Sequence, residues 1–283
     1  MNNNPYKKNI WNLCSKVLIY SILILWALST IYPFIWLLIN SFKSSTEILS
    51  ASFTLPSQPS LMNYMNAFNK QNIVRAYGNS LVISGSTMAS VLFISSLAAY
   101  GMTRYQFRGK AFIHALVIGS LMFPAFSTII PVFKMVVSWG LINKHLGVII
   151  PQTASNLSFA IIVLMGFMSS LPYELEESAF MEGAGVGRIY TTIILPLSKP
   201  ALASVAIFVF LWSYNDLFTQ MIVLRDRSTF PVCALLNEIS SKYGTDFGLM
   251  TAAVTLVVMP VLMVYIILQK NIIKGLTAGA VKG

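Results

Sequence analysis

Four of the nine carboxylates in the sequence fall within one short stretch, Leu171-Pro172-Tyr173-Glu174-Leu175-Glu176-Glu177-Ser178-Ala179-Phe180-Met181-Glu182-Gly183-Ala184-Gly185-Val186-Gly187-Arg188. Glu176, Glu177 and Glu182 can accept charge-assisted hydrogen bonds from Arg or Lys of another protein. Ser178 and Ala179 are small enough to let that protein approach the backbone. A proline near the start and acids in the first turn favour a helix here. Gly183, Gly185 and Gly187 then break it. A second short helix is expected from about Arg188 to Leu195-Pro196, which makes a compact helix-turn-helix. The competing reading is an acidic loop whose charges are simply solvated.

A second cluster, Trp212-Ser213-Tyr214-Asn215-Asp216 followed by Phe218, sets an acid and an amide beside aromatic faces. Such groups accept hydrogen bonds from ligand hydroxyls. The acid lies in an apolar run, where a charge is costly unless paired or hydrated. Asp216 therefore faces a water-filled path or a partner, or it sits at headgroup level among belt aromatics. Gln152 and Asn156, with Ser155 between them, share one helix face by their spacing. They either line the same path or join helices by hydrogen bonds. No catalytic constellation accompanies these residues. The sequence has no Walker-type phosphate loop, no GxSxG elbow, no HExxH and no CxxC. His114 and His145 are isolated, and Cys14 and Cys233 are too far apart for a metal-type spacing.

The elements that position these groups follow from composition. Of 283 residues, 56% are hydrophobic and 10% charged, against about 45–50% and ~25% in soluble proteins. That excludes both an ordinary soluble domain and a disordered chain. Six apolar stretches stand out: about Val17–Ile39, Ser80–Tyr100, Phe112–Val137, Val148–Met168, Ala201–Leu224 and Met250–Leu268. Each must close its own backbone hydrogen bonds in a bilayer, so each is predicted helical. The first has basic flanks but is too long for a signal core and lacks a cleavage motif, so it is read as a retained span. Pro124 and Pro131 mark expected bends in the third. The segment from about Asn40 to Asn79 is polar, with a breaker cluster at Leu55-Pro56-Ser57-Gln58-Pro59.

The net charge of +10 needs no nucleic-acid partner, because cytoplasmic loops of membrane proteins are rich in Lys and Arg. With the N-terminus inside, eleven basic residues fall on inner segments and seven on outer ones, Lys134 being the nineteenth. Both termini are therefore expected in the cytoplasm, with the acidic stretch 171–199 facing the same side.

Glu177-Ser178-Ala179, Gly183, Ile193 and Leu195-Pro196 together resemble the EAA motif of membrane subunits of binding-protein-dependent ABC importers. Two positions depart from it: Ser178 replaces the usual Ala, and Glu182 stands where Asp is common. The ending Gly275-Leu276-Thr277-Ala278-Gly279-Ala280-Val281-Lys282-Gly283 is similar to the tail of the maltose-type permease subunit of carbohydrate importers, as is Trp212-Ser213-Tyr214-Asn215-Asp216. The likeness runs from Thr46-Glu47 through Asn63-Tyr64 and Asn79-Ser80 to the end.

The resemblance implies an all-α polytopic membrane protein of about six spans, with the type I ABC importer permease fold over residues 1–283. It implies that the 171–199 loop, through Glu176, Glu177, Ser178, Ala179, Glu182 and Gly183, couples to an ATPase subunit. The 275–283 tail, through Gly275, Thr277, Gly279 and Lys282, would contact the same ATPase. Asn215, Asp216, Trp212, Tyr214, Gln152 and Asn156 are candidates for the translocation path or the sugar. The implied partners are a second permease subunit, two ATPase subunits and an extracellular sugar-binding protein, in a prokaryotic plasma (inner) membrane. No cofactor is expected on this chain, with ATP and Mg expected in the ATPase. An ion-coupled secondary transporter is the competing class, but it usually needs intramembrane relays or repeats. A membrane-bound enzyme is a third.

Overall fold

The computed structural model describes residues 5–280, apart from 71, 243 and 245. The described residues form helices joined by short turns, with no strand among them. In chain order these are α1 (Pro5–Asn40), α2 (Ser45–Ala51), α3 (Met62–Lys70), α4 (Ile73–Arg104), α5 (Lys110–Ser120), α6 (Ile129–Ser138) and α7 (Leu146–Met168). There follow α8 (Glu174–Met181), α9 (Val186–Ile189), α10 (Leu195–Leu197), α11 (Lys199–Asn215), α12 (Leu217–Val223), α13 (Val232–Lys242) and α14 (Phe247–Ala280). The chain divides into two compact units, Met1–Gln71 with Ile239–Val258, and Asn72–Glu238 with Met259–Gly283.

In the first unit, α1 exposes apolar side chains from Val17 to Leu38, as a helix surrounded by lipid or by other helices does. After it the chain forms a polar knot. Lys43 is fully buried and donates from Nζ to the Ala51 carbonyl at 2.8 Å. The Asn63 amide donates to the carbonyls of Ser41 and Lys43 at 2.9 and 2.7 Å. A side chain at Gly248 would collide with Asn63, since an added Cβ falls 2.9 Å from its amide. Ser44 caps α2 by accepting the Glu47 amide at 3.2 Å, and the Glu47 carboxylate accepts the Ser57 amide at 2.7 Å. That backbone hydrogen bond holds the Glu47 carboxyl below its usual range.

In the second unit, α4 and α7 make the most extensive helix pair, with α11 packed against both. The inward face of α4 carries Ser80, Ser84, Thr87, Ser95, Ser96 and Ala99, all buried. Small residues let the partner backbone come close, which is how membrane helices gain packing energy without a hydrophobic drive between them. A continuous apolar core, including Val91, Leu164, Met168, Ile189, Ile194, Val205 and Val209, joins these helices to the segment after Gly183.

All six predicted stretches are helical, but two are interrupted. Among the described residues, Cys14–Asn40, Ile73–Arg104 and Leu146–Met168 are single helices long and apolar enough to cross a bilayer. The third stretch breaks after α5 at Leu121, and Pro124 opens a single 3-10 turn before α6. Pro131 sits in the first turn of α6, where a missing N–H costs nothing, so it marks a start rather than a bend. The fifth stretch breaks at Asp216, between α11 and α12. Ahead of it, the chain from Val186 to Leu197 meets α11 at an angle of 74°. The sixth stretch belongs to α14, whose helical backbone includes Gly275, Thr277 and Gly279; Lys282 lies outside the described residues.

Candidate functional site

The 171–199 stretch folds as the helix-turn-helix that its composition predicts. α8 begins one residue after Tyr173, with Glu174, Glu176 and Glu177 in its first turn, where carboxylates meet the positive end of the helix dipole. It ends in a Schellman motif. The Ala184 amide donates to the Ala179 carbonyl and the Gly183 amide to the Phe180 carbonyl, both at 2.9 Å. Gly183 takes φ +81°, the left-handed conformation this cap requires. Gly185 and Gly187 do not break the helix as expected: Gly185 is extended with φ −74° ahead of α9, and Gly187 lies within α9. Tyr190–Ile194 then forms a π-helical turn, a widened geometry that recurs at functional sites.

The loop carboxylates divide by environment. Glu177 and Glu182 are exposed, as are Ser178 and Gly183, and Ala179 is half-buried against the core. Glu176 is buried and is spent inside the chain: it pairs with Arg104 at the end of α4 and accepts the Tyr100 hydroxyl at 2.9 Å. The expectation that Glu176 presents an acceptor outward is thus corrected. Helical spacing sets it on the face opposite the solvent, where the basic end of α4 waits. Apolar groups face out instead. Met181 is 89% exposed and Phe180 48%, with Val186 at 45%, all around the turn that Gly183 makes. Sequence reasoning singles out the acids of this stretch but not these apolar side chains. Their position beside three acids in a glycine-rich turn was the available signal.

The polar break in the fifth stretch is the second candidate. Asp216 caps α12, accepting the Thr219 amide at 3.1 Å through Oδ1, while Oδ2 accepts the Gln152 amide group at 2.9 Å. The Gln152 carbonyl oxygen accepts the Ser213 hydroxyl at 2.6 Å. Asp216 and Gln152 therefore meet, as a shared path would require, and each also satisfies the other. Both line a cavity of about 230 Å³, together with Ser155, Phe126, Phe133 and Phe218. The remaining predicted path residues are not brought there. Tyr214 is buried and stacks on Phe210 at 5.9 Å, its carbonyl accepting the Cys233 thiol at 3.2 Å. Trp212 packs edge-on against Phe159 at 4.7 Å. The amides of Asn215 and Asn156 donate to their own helices, at Leu211 and Gln152.

Landmark residues of the sequence turn out to be pins. Asn79 donates to the carbonyls of Ser228 and Phe230, both at 3.0 Å, and Ser80 accepts the Val232 amide at 2.9 Å.

Residues 91–278 match the family described as binding-protein-dependent transport system inner membrane component. The chain is 34% identical over 262 residues to the diacetylchitobiose uptake system permease protein of Streptomyces coelicolor, covering 92% of this chain and 87% of that one. It is 34% identical over 269 residues to the galactooligosaccharides transport system permease protein of Bacillus subtilis, covering 93% and 94%. It is 33% identical over 265 residues to the trehalose/maltose transport system permease protein of Thermococcus litoralis, covering 92% and 94%. Among solved structures, a bacterial ABC transporter that imports the acidic polysaccharide alginate superposes with TM-score 0.81 at 23% identity, over 95% of this chain and 99% of that chain. At that identity the likeness is one of fold.

Proposed function

Because the chain belongs to the family of binding-protein-dependent transport system inner membrane components, we propose how its two candidate sites work together in the import of a sugar. The chain is a membrane-spanning permease subunit of an ABC importer for an oligosaccharide or related sugar delivered by a binding protein. In this reading it lies in the inner membrane of a prokaryote, with both termini and the 171–199 loop in the cytoplasm. It works with a second permease subunit, two ATPase subunits and an extracellular sugar-binding protein. The ATPases bind ATP and Mg, and this chain is not catalytic.

The observation that carries the reading is the outward surface of the loop. Glu177, Glu182, Phe180 and Met181 are exposed at a turn that a pair of Schellman hydrogen bonds closes. An exposed apolar knob rimmed by acids suits a protein partner that offers an apolar cleft edged by Arg or Lys. Gly275, Thr277, Gly279 and Lys282 form a second contact to the same ATPase in this proposal.

The loop continues through the π turn into α11, whose 17 residues rise about 25 Å to Asp216 at ~1.5 Å per residue. Displacing the loop therefore displaces the polar break at the far end of α11, through the 74° bend that joins them. ATP binding that draws the ATPases together moves the loop, and the Asp216–Gln152 contact and the cavity beside it move with it. The physical requirement is that ATP bind the inward- and outward-facing states with different affinity. The cavity, at about 230 Å³, is below the ~300–1,000 Å³ of a self-sufficient ligand site, so the partner permease supplies the rest of the path.

The test is a pull-down of the tagged chain in mild detergent. The expected result is recovery of an ATPase with a phosphate loop and a second permease, and loss of the ATPase alone for Glu177→Lys. Recovery of the chain by itself, active in uptake without ATP, would overturn the reading in favour of an ion-coupled carrier.

A further inference from the structure

The buried end of the acidic loop carries a cluster that docking does not use. Arg104 is the last residue of α4, and its side chain is 3% exposed; that of Glu176 is 8% exposed. The two form an ion pair. The other carboxylate oxygen of Glu176 accepts the Tyr100 hydroxyl at 2.9 Å. The Arg104 guanidinium also donates to the Leu171 carbonyl at 3.1 Å and lies 4.3 Å from the centre of the Tyr173 ring. Tyr173 returns a hydroxyl to the Thr103 carbonyl at 3.3 Å.

Three residues at the C-terminal end of α4, Tyr100, Thr103 and Arg104, thus hold three residues at the entrance of the loop. Tyr100 and Arg104 are four apart and share a face of α4. Desolvating such a pair costs several kcal/mol, and a well-packed apolar pair is often as stable. Stability alone gives no reason for a charge here. A guanidinium held at once by a carboxylate, a backbone carbonyl and an aromatic face fixes distance and angle together, which apolar packing does less strictly.

We propose that Arg104, Glu176 and Tyr100 form a positioning joint that transmits movement of the loop to α4, in parallel with the covalent route into α11. The proposal rests on the reading of the loop as the ATPase dock. It makes Glu176 a positioning residue, acting behind the docking surface rather than on it. α4 in turn packs along α7, which holds Gln152. The joint therefore moves the α7 wall of the cavity, which carries Gln152, while α11 moves Asp216, which directly follows it.

The experiment uses the complete importer in lipid vesicles, with its own ATPases and binding protein. Sugar uptake and ATP hydrolysis are measured together, and retained ATPase is quantified in each preparation. The variants are Glu176→Gln, Arg104→Lys, Tyr100→Phe and the double change of Arg104 and Glu176 to Leu. Tyr100→Phe removes only a hydroxyl, and the double change leaves no unpaired charge, so both guard against simple misfolding. The expected result is an ATPase that stays bound in all four, with sugar moved per ATP falling about tenfold in Glu176→Gln and in the double variant, within the ~5–150-fold typical of coupling between sites. A smaller fall is expected for Tyr100→Phe, and Arg104→Lys recovers part of the ratio. Unchanged sugar per ATP in Glu176→Gln or the double variant would overturn the joint. So would loss of the ATPase from Tyr100→Phe, which would put the cluster in the dock itself. Retention of the ATPase by Glu177→Lys is a separate result and counts against the docking reading alone.

Discussion

Substituting Gly183 tests whether the capped turn is what presents the docking surface. Gly183 stands at φ +81°, and the site where its Cβ would lie is open, with nothing within 4 Å. Alanine there suffers no collision. Its cost is the left-handed backbone alone, about 1–2 kcal/mol. If Gly183→Ala relieves the strain by letting the turn open, the Schellman hydrogen bonds from Gly183 and Ala184 are lost and the surface that carries Phe180, Met181 and Glu182 changes shape. ATPase affinity then falls by the population of the open form, roughly 5–30-fold for ~1–2 kcal/mol. Gly183→Asn should fall less, because asparagine tolerates the left-handed region. Gly185→Ala is the control: its φ of −74° suits any residue, and its Cβ site is also open. The assay is equilibrium binding of the purified ATPase subunit to the permease pair in nanodiscs. Equal affinity for Gly183→Ala and wild type, or an equal loss for Gly185→Ala, would refute the reasoning.

Asp216→Ala removes a helix cap and the partner of Gln152, so it should cost about 0.5–2 kcal/mol of local stability and reduce sugar uptake with ATPase binding kept; Asp216→Asn, which can still cap, should retain more uptake, and transport assays in vesicles decide. Met181→Asp places a charge on the most exposed apolar side chain of the loop; ATPase recovery in a pull-down should fall at least as far as for Phe180→Ala, and unchanged recovery would remove the apolar part of the docking surface. The Glu47 carboxyl is held below its ordinary value by the Ser57 amide. Its contribution is therefore present above the unfolded value near 4.5 and lost as pH falls through the lower folded value. Thermal unfolding against pH should show Glu47→Gln less stable than wild type at neutral pH, with the difference closing under acid conditions.

The helical stretches were legible because a bilayer leaves the backbone no other way to satisfy itself. Their continuity was not, because an apolar average over Phe112–Val137 hides the turn after Leu121, and Asp216 reads as a residue within a span rather than as the cap of a new helix. The loop was legible from its acids and glycines. Its polarity was half-legible: four glutamates look alike in sequence, and which one turns inward depends on Arg104, seventy-two residues earlier than Glu176 and without local signature. The same holds for Lys43, which counts as a loop cation in any charge tally yet is fully buried beneath Ala51. Gln152 and Asp216 could each be suspected from the cost of polarity in an apolar run, but their meeting is a property of the packed bundle.

The Asp216–Gln152 contact also has an order in time. The two residues are 64 apart in the chain, so at ~5–20 residues per second Asp216 leaves the ribosome about 3–13 s after Gln152. The helix with the amide is already made when the helix interrupted by the acid arrives. The later segment is the one that would suffer in bare lipid, and it is delivered to a membrane in which its hydrogen-bond donor is waiting. Reversing the order of the two segments by circular permutation would leave the carboxylate to wait, exposed to the insertion machinery and to proteolysis, for a partner not yet synthesised.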